Sequence, residues 1–236
     1  MPGSKVLVLG GTGPAGICLV RELVFRKHEV VVYARNPSKL PEELVSNPLV
    51  EIIQGEMSTP SPLSTAVSKS HSIISLLGPD INRDNAIDPT TFSTFFSSTL
   101  FPLMREHGVR RILAMGTLSI KLPEDRWTLL QSAAILFMRT LHGNLYRVIH
   151  HIRDAFEQEG GDLDWTIFRI AQIPGGSDEE SWRKDREDGE VFAGMIGEAG
   201  WTGTTRRGAL AKWLVDELER GDGRWLRKLP AVGRKG

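Results

Sequence analysis

The sequence predicts an α/β fold, a doubly wound parallel sheet with helices on both faces. Three observations carry that expectation. Short runs rich in valine and isoleucine alternate with amphipathic stretches through the first two thirds of the chain. The first such run ends in a dense glycine cluster that opens directly into a helical pattern. The 236 residues, 40% hydrophobic and 25% charged, suit one large domain with a sizeable core.

Taken in order, residues 5–9 form a short strand ending in glycines. Ile17, Val20, Leu23 and Val24 then share one helical face, with Arg21, Glu22, Arg26 and Lys27 elsewhere. Strands are expected at 29–33, 50–53 and 72–77, the last ending at Gly78-Pro79. A helix over 89–107 leads to a strand at 110–115, and a helix over about 145–158 leads to a strand at 165–169. Residues 174–200, rich in Gly, Asp and Glu, read as loop. Residues 207–220 carry Leu210, Trp213, Leu214 and Leu218 on one side of an amphipathic helix, and 225–229 read as a short final strand. The whole, 1–236, is expected to be a single domain. Residues 1–170 would form its nucleotide-binding core and 171–236 a small C-terminal segment covering the substrate.

Composition narrows the function. Lys+Arg and Asp+Glu both number 29, so neither nucleic acid nor an anionic membrane is expected as the main partner. The single cysteine, Cys18, excludes an intrachain disulfide and a cysteine-rich metal site, and no HExxH spacing occurs, so no metal is expected. A reducing compartment, the cytoplasm, is the expected location. The most apolar later stretch, 132–138, falls well short of a membrane span.

The densest signal is Gly10-Gly11-Thr12-Gly13-Pro14-Ala15-Gly16. It contains GxGxxG at Gly11, Gly13 and Gly16, placed between a strand and a helix as a dinucleotide-binding turn requires. A side chain at Gly13 would hold a pyrophosphate off the backbone, and one at Gly16 would separate helix from strand. The helix N-terminus then offers free N–H groups to phosphate, and Pro14 sacrifices no needed donor. This makes the expected sheet Rossmann-type. Arg35 lies 19 residues after Gly16, where an NAD-selective site places a carboxylate for the ribose hydroxyls. A guanidinium there, with Lys39 nearby, suits a 2′-phosphate, so the cofactor is read as NADP(H).

The sequence resembles atypical short-chain dehydrogenases/reductases of the NmrA-like or biliverdin-reductase-B-like type. The resemblance rests on Gly10 to Gly16, Arg35-Asn36-Pro37-Ser38-Lys39, Ser75-Leu76-Leu77-Gly78, Arg111-Ile112-Leu113 and Asp162-Leu163-Asp164-Trp165-Thr166-Ile167-Phe168-Arg169. More narrowly, Asn144-Leu145-Tyr146 and Gly200-Trp201-Thr202 are similar to fungal enzymes of the averufin-oxidase kind, which act in aromatic polyketide pathways. The resemblance implies a seven-stranded sheet and a small hydrophobic, aromatic substrate over the nicotinamide. It sets Glu56, Leu77, Gly78 and Gly116 beside the cofactor, and a monomer or homodimer is expected. Two departures stand out. Relatives carry Gly-Asp where this chain has Gly55-Glu56-Met57, and Arg-Pro where it has Arg169-Ile170.

The family's usual chemistry pairs a Tyr with a Lys four residues later on one helix. Here Tyr146 is followed at that spacing by His150. Tyr146 or His150 is the candidate proton-transfer group. Thr117 or Ser119 is the candidate hydroxyl after the fifth strand, against the alternative of an ordinary loop. Without the lysine three outcomes stay open: hydride transfer with a proton from another source, a non-redox isomerase, dehydratase or cyclase, or a dinucleotide-sensing regulator. The apolar insertion 127–141 is either a lid for a flat ligand or a packing or dimer face.

Overall fold

The structure, a computed structural model, describes residues 5–79 and 88–236. β1 (Val6–Leu9) leads into α1 (Pro14–Phe25), followed by β2 (Val30–Ala34), α2 (Glu42–Val45), β3 (Val50–Gln54), α3 (Pro60–Ser68) and β4 (Ser72–Ser75). Next come α4 (Thr91–Thr94) and α5 (Phe101–Glu106), joined without a break by a π-helical stretch at Phe95–Leu100. Then follow β5 (Arg111–Thr117), α6 (Leu129–Leu141), α7 (Gly143–Glu159), β6 (Asp164–Ile170), α8 (Glu179–Arg186), β7 (Val191–Gly194), α9 (Arg207–Arg220) and β8 (Ala231–Arg234).

The strands form one sheet in the order β3-β2-β1-β4-β5-β6-β8-β7, parallel except for the β7–β8 pair. The first six positions are the doubly wound Rossmann order, and the order reverses between β1 and β4. β1 is buried along its whole length, with successive side chains entering opposite layers. Leu7 and Leu9 join the core beneath α3, α5 and α7, whereas Val6 and Val8 join the core beneath α1 and α9. No helix among the described residues is long and apolar enough to cross a membrane.

Four expectations need correction. The sheet has eight strands, not seven, because β7 returns as a hairpin partner of β8. Residues 174–200 are not merely loop, since they hold α8 and β7. α8 escapes an apolar-periodicity reading because only Trp182 and Asp185 of its side chains are buried. Its ends explain it instead. The Asp178 carboxylate accepts from the Ser181 N–H at 2.8 Å, acids occupy the first turn and bases the last. The final strand lies at Ala231–Arg234 and not at 225–229. There the buried Trp225 anchors the chain, the Thr166 hydroxyl donates to its carbonyl at 2.7 Å, and Arg227 turns it with φ 53°. Lastly, Arg21 and Glu22 are buried although they lie off the apolar stripe of α1. Glu22 accepts from Arg26 and Arg186, each at 2.8 Å, because α8 and α9 cover that side of α1.

Candidate functional site

The glycine turn sits at the carboxyl edge of the sheet, where β1 and β4 part. The Gly13 N–H donates to the Gly10 carbonyl at 3.1 Å, and Gly10 has φ +81°, a left-handed conformation that glycine adopts without strain. A Cβ on Gly10 would press at 3.0 Å against the Leu76 backbone, so the turn lies tight on the chain leaving β4. A Cβ on Gly16 would stand 2.2 Å from the Gly10 carbonyl oxygen, which fixes that residue as glycine for packing. At Gly13 the nearest atom to an added Cβ is the Gly10 oxygen, at an ordinary 3.6 Å. The protein itself therefore leaves room for a Cβ there.

Gly13 caps α1 without a side-chain acceptor, and the first helical bond runs from the Ile17 N–H to the Gly13 carbonyl at 2.8 Å. The amides of Ala15 and Gly16 are thus left over at the positive end of the helix dipole, with no acid in the first turn to quench it. Thr12 and Gly13 are half-buried and Pro14 is exposed, so the turn is open to a ligand.

Arg35 and Lys39 follow the end of β2, both exposed, and neither side chain has a hydrogen bond or ion pair among the described residues. Glu56 is exposed at the end of β3. Its carbonyl accepts from the Tyr33 hydroxyl at 2.8 Å, which ties this loop to β2 while leaving the carboxylate in solvent. Leu77 and Gly78 follow β4. A Cβ on Gly78 would lie 2.9 Å from the Met115 side chain. Gly116 is different, because it is buried within β5, where a Cβ would meet Ile167 of β6 at 2.7 Å. Strand packing is sufficient to require a glycine there.

Farther along the same edge, α7 brings the Tyr146 and His150 rings together, with centroids 4.2 Å apart. That is the i, i+4 spacing of one helical face. Both are half-buried. At the end of β5 the Thr117 and Ser119 hydroxyls are 2.6 Å apart, and Ser119 is buried. His150 adjoins this pair through the Ser119 backbone. Burial pushes the His150 imidazole below its usual range and the charge of Arg153 adds to that, against the hydrogen bond with the Ser119 backbone. The shift favours the neutral ring, and its Nε2 is buried with no hydrogen-bond partner among the described residues. The proton-transfer candidates Tyr146 and His150 thus form one pair, the hydroxyl candidates Thr117 and Ser119 another, and His150 links the two.

The support beneath this cluster was not foreseen. Arg169, fully buried at the end of β6, forms a two-pronged pair with Asp125, at 2.5 Å and 2.8 Å. It also donates to the carbonyls of Ile120 and Leu229. Asp125 in turn accepts from the amides of Leu122 and Ile196. Burial pushes the Asp125 carboxyl up, but Arg169 and these amides outweigh it and hold it below the usual carboxylate range. The pair pins the loop carrying Thr117 and Ser119 to β6 and to the segments around β7 and β8. The only sequence signal was a charged residue ending an otherwise apolar strand.

A family model described as NAD(P)H-binding matches residues 10–220. Among solved structures, a short-chain dehydrogenase/reductase of Veillonella parvula DSM 2008 superposes with a TM-score of 0.75 at 17% identity, covering 99% of this chain and 95% of that one. The same enzyme in complex with NADP gives 0.74 at 18% identity, again covering 99% and 95%. ChuY, an anaerobillin reductase of Escherichia coli O157:H7, gives 0.66 at 16% identity, covering 98% of this chain and 97% of that one. At these identities the structural likeness establishes the fold.

Proposed function

The chain belongs to the NAD(P)H-binding family, and from that premise we propose that it is an NADP(H)-dependent oxidoreductase acting on a carbonyl or quinone-like group of a hydrophobic, aromatic metabolite. The observation that carries this reading is the Tyr146–His150 ring pair beside Ser119 and Thr117, on the sheet edge that bears the glycine turn. The preference for NADP(H) rests on Arg35 and Lys39, cations that no described residue occupies, at the place where a 2′-phosphate is read. The aromatic, polyketide-like substrate is supported by the resemblance of Asn144-Leu145-Tyr146 and Gly200-Trp201-Thr202 to the averufin-oxidase kind. Trp201 packs against the small buried cluster of Leu118, Ile196 and Ala231, and Leu118 lies between the two hydroxyl residues in sequence.

When bound, the dinucleotide supplies a hydride to the substrate carbon, or takes one in the reverse direction. In reduction the electron pair of the C=O bond passes to oxygen, and the Tyr146 hydroxyl delivers a proton to that atom. Thr117 or Ser119 donates a hydrogen bond to the same oxygen and orients it. His150 stands where the family's lysine would. With its neutral form favoured and its ring packed against that of Tyr146, it can exchange a proton with the phenol. The product is the substrate plus one hydride and one proton.

The missing lysine favours a second reading, a non-redox isomerase, dehydratase or cyclase in which neutral His150 acts as base. Incubating the protein with aromatic ketones and quinones, with and without NADPH, separates the readings when nucleotide absorbance and product mass are both followed. Oxidoreduction consumes NADPH and yields a product heavier by two hydrogens. Turnover without nucleotide consumption supports the second reading. Nucleotide binding with no turnover on any candidate points to a dinucleotide-sensing regulator.

A further inference from the structure

Eight large hydrophobic side chains are exposed among the described residues, and six of them lie between Trp127 and Leu141. They are Trp127, Leu129, Leu130, Leu136, Phe137 and Leu141, with exposures from 45% for Phe137 to 73% for Leu129. On α6 they recur at helical spacing, 129, 130, 136, 137 and 141, so the helix turns an apolar stripe outward. Inward it buries only Gln131, whose amide donates to Asp125 and to the Leu118 carbonyl. Such a concentration of exposed apolar surface marks an interaction site.

Charge selects the partner. Around the stripe Lys121, Arg126, Arg139 and Arg147 are exposed, and none is in a salt bridge among the described residues. Over 121–147 the opposing acids are Glu124, which is exposed, and Asp125, which is consumed by Arg169. A second copy docked about a two-fold axis would bring two patches of the same net positive charge together, which disfavours pairing. An anionic lipid surface complements both features at once. It accepts an apolar helix face with a tryptophan at its margin, and it attracts the flanking bases. A shallow groove on α6 lined by Ser132, Ile135, Leu136, Arg139 and Thr140 sets a guanidinium beside apolar side chains and hydroxyls. Zero net charge, which argued against a membrane, is an average over the chain that hides this local excess.

We propose that α6 and Trp127 form a docking face for anionic bilayers, holding the carboxyl edge of the sheet at the membrane interface, where an apolar substrate concentrates. The test needs no turnover and so stands apart from the enzymatic reading. Full-length protein is floated with vesicles of phosphatidylcholine alone and of phosphatidylcholine with phosphatidylserine, at low and high salt, while tryptophan emission is followed. The expected result is binding to the serine-containing vesicles that weakens with salt, with a blue shift that Trp127→Phe removes. The double variant Leu136→Ser/Phe137→Ser should lose binding by roughly tenfold or more while keeping its circular dichroism and NADPH affinity. Arg126→Glu/Arg139→Glu should lose the preference for anionic lipid. Absence of binding to anionic vesicles at low salt overturns the proposal. So does a dimer by light scattering that the Leu136→Ser/Phe137→Ser variant dissociates, which would assign the face to a second copy.

Discussion

At the scale of residues, the glycine turn separates two demands that the sequence motif merges. At Gly16 the protein leaves no room for a Cβ, whereas at Gly13 it does, and there it is the proposed dinucleotide that would need a glycine. Gly13→Val should unfold near the wild-type temperature yet lose dinucleotide binding in calorimetric titration. Gly16→Val should lose both, because its Cβ collides with the Gly10 oxygen. Arg35→Asp should leave the melting temperature unchanged, since the guanidinium has no partner among the described residues. It should weaken NADPH by about 1.5–3 kcal/mol, roughly tenfold and upward, and NADH much less. Tyr146→Phe should cut the maximal rate by about 10²-fold with nucleotide affinity preserved. His150 carries a pH signature with a definite sign. Its folded-state value lies below the unfolded one, so the unfolded chain binds the extra proton first as pH falls. Its contribution to stability is present above the ordinary histidine value of about 6.5 and is lost as pH falls from there through the depressed folded value. A matching acid-side ionisation in the rate profile should vanish in His150→Gln.

At the scale of elements, the buried Asp125–Arg169 pair is what makes the loop after β5 a defined structure. Removing one partner of a buried pair leaves an uncompensated charge, a loss of about 3–5 kcal/mol. Asp125→Ala should lower the denaturation midpoint by a corresponding amount. It should also release Leu122, Ile196 and Gln131, and with them the N-terminal end of α6. Hydrogen exchange would then rise over 117–131 more than over β1 or β2. α8 makes the complementary point about legibility. Its capping aspartate and charge gradient were present in the sequence, but a search for apolar periodicity passes over a helix that buries so little.

At the scale of the molecule, the boundary drawn at residue 170 is not a boundary in the core. Trp182, Leu210, Trp213, Leu214, Val215 and Trp225 belong to the same buried cluster as Val6, Val8, Ile17 and Leu19. β8 pairs with β6 in the one sheet. A fragment of residues 1–170 should therefore show no cooperative thermal transition and no NADPH binding. A sharp transition in scanning calorimetry would contradict this reading.

The sequence alone determined the strand–helix alternation, the glycine turn, the basic end of β2 and the Tyr146–His150 spacing. All are local: periodicity, turn chemistry and i, i+4 geometry act over a few residues, so one stretch of chain contains both cause and effect. The tertiary structure decided what depends on residues far apart in the chain. Asp125 meets Arg169 across 44 positions, Glu22 meets Arg186 across 164, and β7 finds β8 only after α9 has folded back. A charge whose partner is remote reads as a surface residue until packing removes the water around it. Burial then makes pairing obligatory, and only the folded chain determines which residues are buried together.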